Sequence, residues 1–155
     1  MKITFISAGP IKKRYVKEGF YDYIERLKRY LKVEVVEVKE GRASKKTPVE
    51  ETLREEGERI LKRLRKEDFK VVLADKGTAF TSRGLAALIK RLMDGGKDVC
   101  FVVGGPFGVH GSVLEEADAL MSLSRMTLPH DLARLVISEQ VYRALTIIRG
   151  EPYSH

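Results

Sequence analysis

Cysteine is nearly missing from this sequence and tryptophan is missing altogether: Cys100 is the single thiol among 155 residues. One cysteine closes no intrachain disulfide and builds no zinc site. Cys100 sits in an apolar run, so it reads as a buried thiol in a reducing, cytosolic setting. No apolar run approaches the ~18 residues that a membrane span needs. The opening MKITFISAG has too short an apolar part for a leader peptide, and IKKR follows at once, so it reads as a first strand. The glycine-rich GGPFG (104–108) is not followed by Gly-Lys-Ser/Thr and does not fit GxGxxG. It therefore lacks both the Walker and the dinucleotide fingerprints. No carboxylate pair, Ser-His-Asp order or metal-ligand spacing stands out, which leaves hydrolase and metalloenzyme readings little support.

The chain does have enough apolar material for one domain, 1–155, with 43% hydrophobic residues. A chain this size buries roughly 70% of its unfolded surface and needs no staple. Its net charge of +7 is one-sided. Residues 1–70 hold 20 Lys and Arg against 13 Asp and Glu, whereas residues 71–155 hold 9 of each. A one-sided excess suits a polyanionic partner such as nucleic acid. It also suits an ion-paired surface of the kind heat-stable proteins carry.

Strands and helices alternate. Lys2–Ala8 and Lys32–Val38 alternate in polarity and read as strands, and Lys12–Tyr30 repeats at helical spacing. GRASKKT (41–47) is a small, polar, basic loop. Pro48 opens a helix to about Lys66, with Leu53, Ile60, Leu61 and Leu64 on one face. Phe69–Ala74 is a buried strand ending in Asp75-Lys76-Gly77. Thr81 or Ser82 caps a helix to about Met93. Val99–Val103 is the next strand, followed by a short helix at Ser112–Ala119 and a brief strand at Met121–Ser124. Asp131 caps a final helix that runs to Arg149 and stops at Gly150. This pattern predicts an α/β fold with a mostly parallel sheet flanked by helices. In such sheets ligands bind at the carboxyl ends of the strands. Two of those ends are unusual, LADKG (73–77) and GGPFG.

Three stretches can carry chemistry. GGPFG either turns the chain or lets a ligand lie against bare backbone. LSRMTLPHDLAR (123–134) runs extended into Pro129, leaving backbone donors and acceptors that an adenine can use. His130 there either serves a site or simply bonds backbone at a helix start. Arg134, Arg143 and Arg149 punctuate the last helix, either as phosphate ligands or as its exposed face. The end EPYSH (151–155) either frays or is tied down at a site.

Taken together, GGPFG, LSRMTLPHDLARLVISEQVYRA and RGEPYSH resemble the RlmH family, small SPOUT-class methyltransferases that modify a pseudouridine of 23S large-subunit ribosomal RNA. The likeness covers essentially the whole chain. It implies a SPOUT-like α/β fold with a C-terminal trefoil knot, an exception to the rule against knots. It implies a cytoplasmic homodimer whose active sites combine both subunits. S-adenosylmethionine would be held by Leu73, Gly104, Gly105, Leu123, Ser124, Arg125, Met126, Thr127 and Leu128. It also implies transfer to N3 of a pseudouridine, on the assembled ribosome, with His130, Arg143, Tyr153 and His155 as catalytic residues, Arg134 nearby, and no metal. The family pattern carries glutamate where Phe107 stands and histidine where Ser154 stands. A non-enzymatic RNA- or ribosome-binding domain that kept the fold is the alternative, and a small-molecule α/β enzyme a third.

Overall fold

The computed structural model describes residues 1–153; the candidate His155 and the Ser154 departure lie outside the described residues. Five strands form one parallel sheet. They are β1 (Lys2–Ala8), β2 (Lys32–Val38), β3 (Phe69–Ala79), β4 (Val99–Val103) and β5 (Ala119–Ser122), in the spatial order β2-β1-β4-β3-β5. The pairing β1–β4 aligns Ile3 with Val99 and Phe5 with Phe101. That places the two most buried strands at the centre of the sheet.

Both faces are covered, so β4 is apolar throughout, and β1 buries Thr4 and Ser7 along with its apolar residues. Ile3, Phe5, Val71, Val99 and Phe101 point toward one helical layer, α1 (Arg14–Leu27), α3 (Ser82–Asp94) and α5 (His130–Arg149). Ile6, Ala8, Val72, Cys100 and Val102 point the other way, toward α2 (Val49–Leu61) and α4 (Gly111–Glu115). Phe5 stacks on Phe101 at 5.6 Å and meets the edge of Phe20 from α1 at 6.1 Å. Burial pushes the Cys100 thiol up to about 12, in keeping with an inert core position. No helix among the described residues is long and apolar enough to cross a membrane.

Several boundaries differ from the sequence expectation: α1 spans Arg14–Leu27 rather than Lys12–Tyr30, and α2 ends at Leu61 rather than about Lys66, where the Arg63 and Leu64 N–H groups turn back to the Ile60 and Leu61 carbonyls. β3 does not stop at Ala74. Leu73 and Thr78 both pair with Met121, so residues 74–77 bulge out of the ladder and the strand resumes to Ala79. β5 begins two residues early, because Ala119 pairs with Val71 and the Asp118 N–H bonds the Lys70 carbonyl at 2.9 Å. α4 accordingly ends at Glu115. α5 starts behind Pro129 with no side-chain cap, and Asp131 instead accepts the Lys12 N–H at 3.1 Å. On α2 the most buried positions are Thr52, Glu56, Gly57 and Ile60, while Leu53 is only half-buried. Thr81 does cap α3, accepting the Gly84 N–H at 2.9 Å.

Candidate functional site

The carboxyl ends of β3, β4 and β5 open into one cleft of about 660 Å³. Three loops build it: Leu73–Asp75, Val103–Val109, and Leu123 through His130. Among the described residues, its only titratable lining groups are Asp75 and His130.

The GGPFG loop owes its shape to missing side chains. A Cβ on Gly104 would collide with the Gly108 carbonyl and lie 2.7 Å from Val109 Cγ2. The bare backbone lets the chain double back. Gly105 and Gly108 bridge, with the Gly108 N–H on the Gly105 carbonyl at 3.1 Å and Gly108 at φ +89°. That φ is open to glycine and strained for other residues.

The opposite wall is the segment expected to run extended. Among the described residues, no backbone N–H or C=O of Arg125, Met126, Thr127 or Leu128 bonds another backbone group. Ser124 holds the bend, its Oγ accepting the Met126 N–H at 3.0 Å, and Ser122 Oγ donates to the Ser124 carbonyl at 2.9 Å. Pro129 then turns the chain into α5 and sets the half-buried His130 at the cleft edge. Its Nε2 stands 3.3 Å from Asp131 Oδ1.

Of the nine residues expected at the cofactor, eight line this cleft: Leu73, Gly104, Gly105, Leu123, Ser124, Met126, Thr127 and Leu128. Arg125 is exposed and does not line it. A glycine floor, an apolar interior and unclaimed main-chain groups suit a nucleoside with a hydrophobic tail. That chemistry fits S-adenosylmethionine.

The expected catalytic residues divide. His130 is at the cleft, whereas Arg143 lies thirteen positions further along α5, about 20 Å away at 1.5 Å per residue. There Arg143 donates to Glu139 Oε1 from Nη2 at 2.6 Å and covers the Tyr153 ring at 4.9 Å. The Tyr153 hydroxyl donates to the same oxygen at 3.0 Å, so the Tyr23 hydroxyl 3.2 Å away donates to Tyr153. Burial, with those two hydrogen bonds, holds the Tyr153 phenol well above its usual range. Arg143 and Tyr153 thus form a cluster remote from His130. Arg134 is buried and committed: Nη1 donates to the Gly9 carbonyl at 2.9 Å and Nη2 to Glu37 at 3.0 Å. It ties α5 to the ends of β1 and β2. Arg149 pairs with Glu151 at 3.0 Å and covers Tyr30.

Sequence reasoning missed Glu56. It is buried beneath the glycine loop, with Oε1 about where a side chain on Gly105 would touch it, at 3.3 Å. Its Oε2 accepts the Gly41 N–H at 2.8 Å, anchoring the start of the basic 41–47 loop. Desolvation raises its carboxyl above the usual range, opposed by that N–H. One carboxylate among seven acidic residues in 50–68 carries no mark in sequence. Only its spacing from Thr52 and Ile60, i±4 on the buried face, singles it out.

Comparison with known proteins agrees with this geometry. The profile of a family described as "Predicted SPOUT methyltransferase" matches residues 1–155. A protein of Limosilactobacillus reuteri named ribosomal RNA large subunit methyltransferase H is 43% identical over 99% of this chain and 99% of its own. One of the same name from Lysinibacillus sphaericus is 41% identical with the same coverage. A crystal structure of a probable methyltransferase from Bordetella pertussis Tohama I superposes with a TM-score of 0.58. It covers 92% of this chain and 95% of that one, at 18% identity, a likeness of fold alone. With its parallel sheet, its cleft at the strand ends and relatives of this identity along its whole length, the chain belongs to the SPOUT methyltransferase family.

Proposed function

We propose that the protein is a cytoplasmic methyltransferase that uses S-adenosylmethionine to methylate N3 of a pseudouridine in 23S ribosomal RNA, on the assembled ribosome. The observation that carries this is the cleft itself, in a chain 43% identical over 99% of its length to a large-subunit rRNA methyltransferase. Leu73, Gly104, Gly105 and the Leu123–Leu128 segment would hold the cofactor, in a C-terminal trefoil knot. When bound, S-adenosylmethionine supplies an electrophilic methyl group on a sulfonium.

The chain's own contribution is orientation and charge. The clamped 104–108 turn and the 125–128 segment, whose backbone groups bond no other backbone group among the described residues, would fix the reactants in register, an effect worth roughly 7–11 kcal/mol in favourable cases. The accepting imide nitrogen must lose its proton, and nearby cations favour its anionic form. His130, which lines the cleft, would be one candidate to take that proton. Arg143 on α5 and Tyr153 beyond its end lie too far from the cleft to serve it, so a homodimer packed through α5 would bring them from the second subunit, with His155. The basic residues of 1–70 would meet the RNA backbone.

The test is transfer from radiolabelled S-adenosylmethionine to ribosomes lacking the modification, with the label mapped by nuclease digestion. Label on one pseudouridine of the large-subunit RNA is the expected result. Cofactor binding without transfer would point to a different substrate, whereas neither transfer nor cofactor binding would sink this reading and leave the binding-domain alternative.

A further inference from the structure

The cleft has two depths. Met121 and Val103 at its base are 2% and 5% exposed, while Phe107 and Met126 on its rim are 52% and 76% exposed. Among the described residues, Phe107 is the one phenyl or phenol ring in the lining. Among the described residues no aromatic ring or cationic group packs on its ring. The turn that carries it is nevertheless rigidly specified by the Gly105–Gly108 bridge and by the close approach at Gly104. A large apolar ring is thus held in water at the mouth of a methyl-transfer site.

We propose that the Phe107 ring is the stacking platform for the RNA nucleobase that enters this cleft. The inference rests on the proposed RNA methyltransferase reading and adds a residue that sets its substrate. An unstacked base offers a π-face, and aromatic side chains take such bases out of single-stranded or distorted RNA. The buried glycines and the main chain of 125–128 already answer to the cofactor's chemistry. The exposed rim answers to what arrives afterwards from solvent. A ring on a fixed turn loses little freedom when it is covered, so the contact adds directly to substrate binding.

The decisive comparison is Phe107→Ala, →Leu, →Tyr and →Trp, assayed for transfer to unmodified ribosomes and for S-adenosylmethionine affinity by calorimetry. Stacking on this scale predicts that Ala and Leu lose roughly ten- to a hundredfold in kcat/KM. Tyr and Trp should stay near the native value, with cofactor affinity unchanged throughout. Equal activity of Leu and Tyr would reduce Phe107 to apolar filler and overturn the proposal, as would native kcat/KM for Ala. Because the chain has no tryptophan, Phe107→Trp also supplies a sole tryptophan, which red-edge excitation selects over the six tyrosines. Quenching by S-adenosylmethionine alone would assign the ring to the cofactor and end the inference. Should the native protein label no RNA, the proposed function falls separately. Emission of the Trp variant against a short pseudouridine-containing single-stranded RNA then decides: quenching keeps the stacking role, and unchanged emission removes it.

Discussion

Alanine at position 104 would place a methyl group where the chain folds back on itself. The new Cβ would sit 2.6 Å from the Gly108 carbonyl carbon and 2.7 Å from Val109 Cγ2. Carbon atoms settle at about 3.5–4.0 Å, so relief requires a backbone shift on the order of 1 Å. Overpacking of this kind costs roughly 1–3 kcal/mol. For a domain of this length that lowers Tm by about 2–12 °C. The functional loss should be larger, since a misplacement near 1 Å can cost about a hundredfold in rate. Two neighbouring glycines are internal controls. Gly108→Ala meets no atom within 4 Å but must hold φ +89°, a strain of roughly 1–3 kcal/mol without a clash. Gly111→Ala meets nothing either, has an ordinary φ, and opens α4, so it should be neutral or slightly stabilising. Scanning calorimetry and titration with S-adenosylmethionine measure both effects. A Gly104→Ala protein that melts and binds like Gly111→Ala would refute the argument that the close approach at Gly104 shapes the cleft.

Three further outcomes follow from the same contacts. Glu56→Gln keeps an acceptor for Gly41 but removes a carboxyl whose value is raised by burial. A raised acid binds more protons folded than unfolded, so its stabilisation is present at low pH and lost as pH rises through the folded value. The Tm advantage of the Gln variant over the native protein should therefore grow from pH 4 to pH 8; a constant difference would sink the assignment. Arg134→Met leaves Glu37 and the Gly9 carbonyl without their partner and should cost about 3 kcal/mol, the low end for breaking a buried pair, because Glu37 is 34% exposed. Cofactor affinity measured below the lowered Tm should not change, since Arg134 does not line the cleft. Tyr153→Phe deletes a donor to Glu139 worth about 1 kcal/mol and should move Tm by only a few degrees. A fall of more than about tenfold in transfer rate would then mark a role beyond that bond, and an unchanged rate would leave Tyr153 structural.

The sequence by itself determined the layer architecture and the two loops that wall the cleft. Val99–Val103 is apolar at every position, which only a strand covered on both faces explains, and Lys32–Val38 alternates as an edge strand must. The three glycines in 104–108 and the Pro129 break marked the two loops that form the cleft. These signals are local, because glycine and proline act on their own backbone. What only the tertiary structure decided is non-local. The resumption of β3 at Thr78 depends on Met121 offering a second partner, forty-three residues on. Glu56 matters because α2 lays it under Gly105, and no pattern in a helix rich in glutamate announces that. Arg134 and Arg143 look alike along α5, yet one faces Gly9 and Glu37 in the interior and the other faces Glu139 and Tyr153. Their roles are set by what each side of the helix packs against, and a side chain's own sequence neighbourhood carries no record of that.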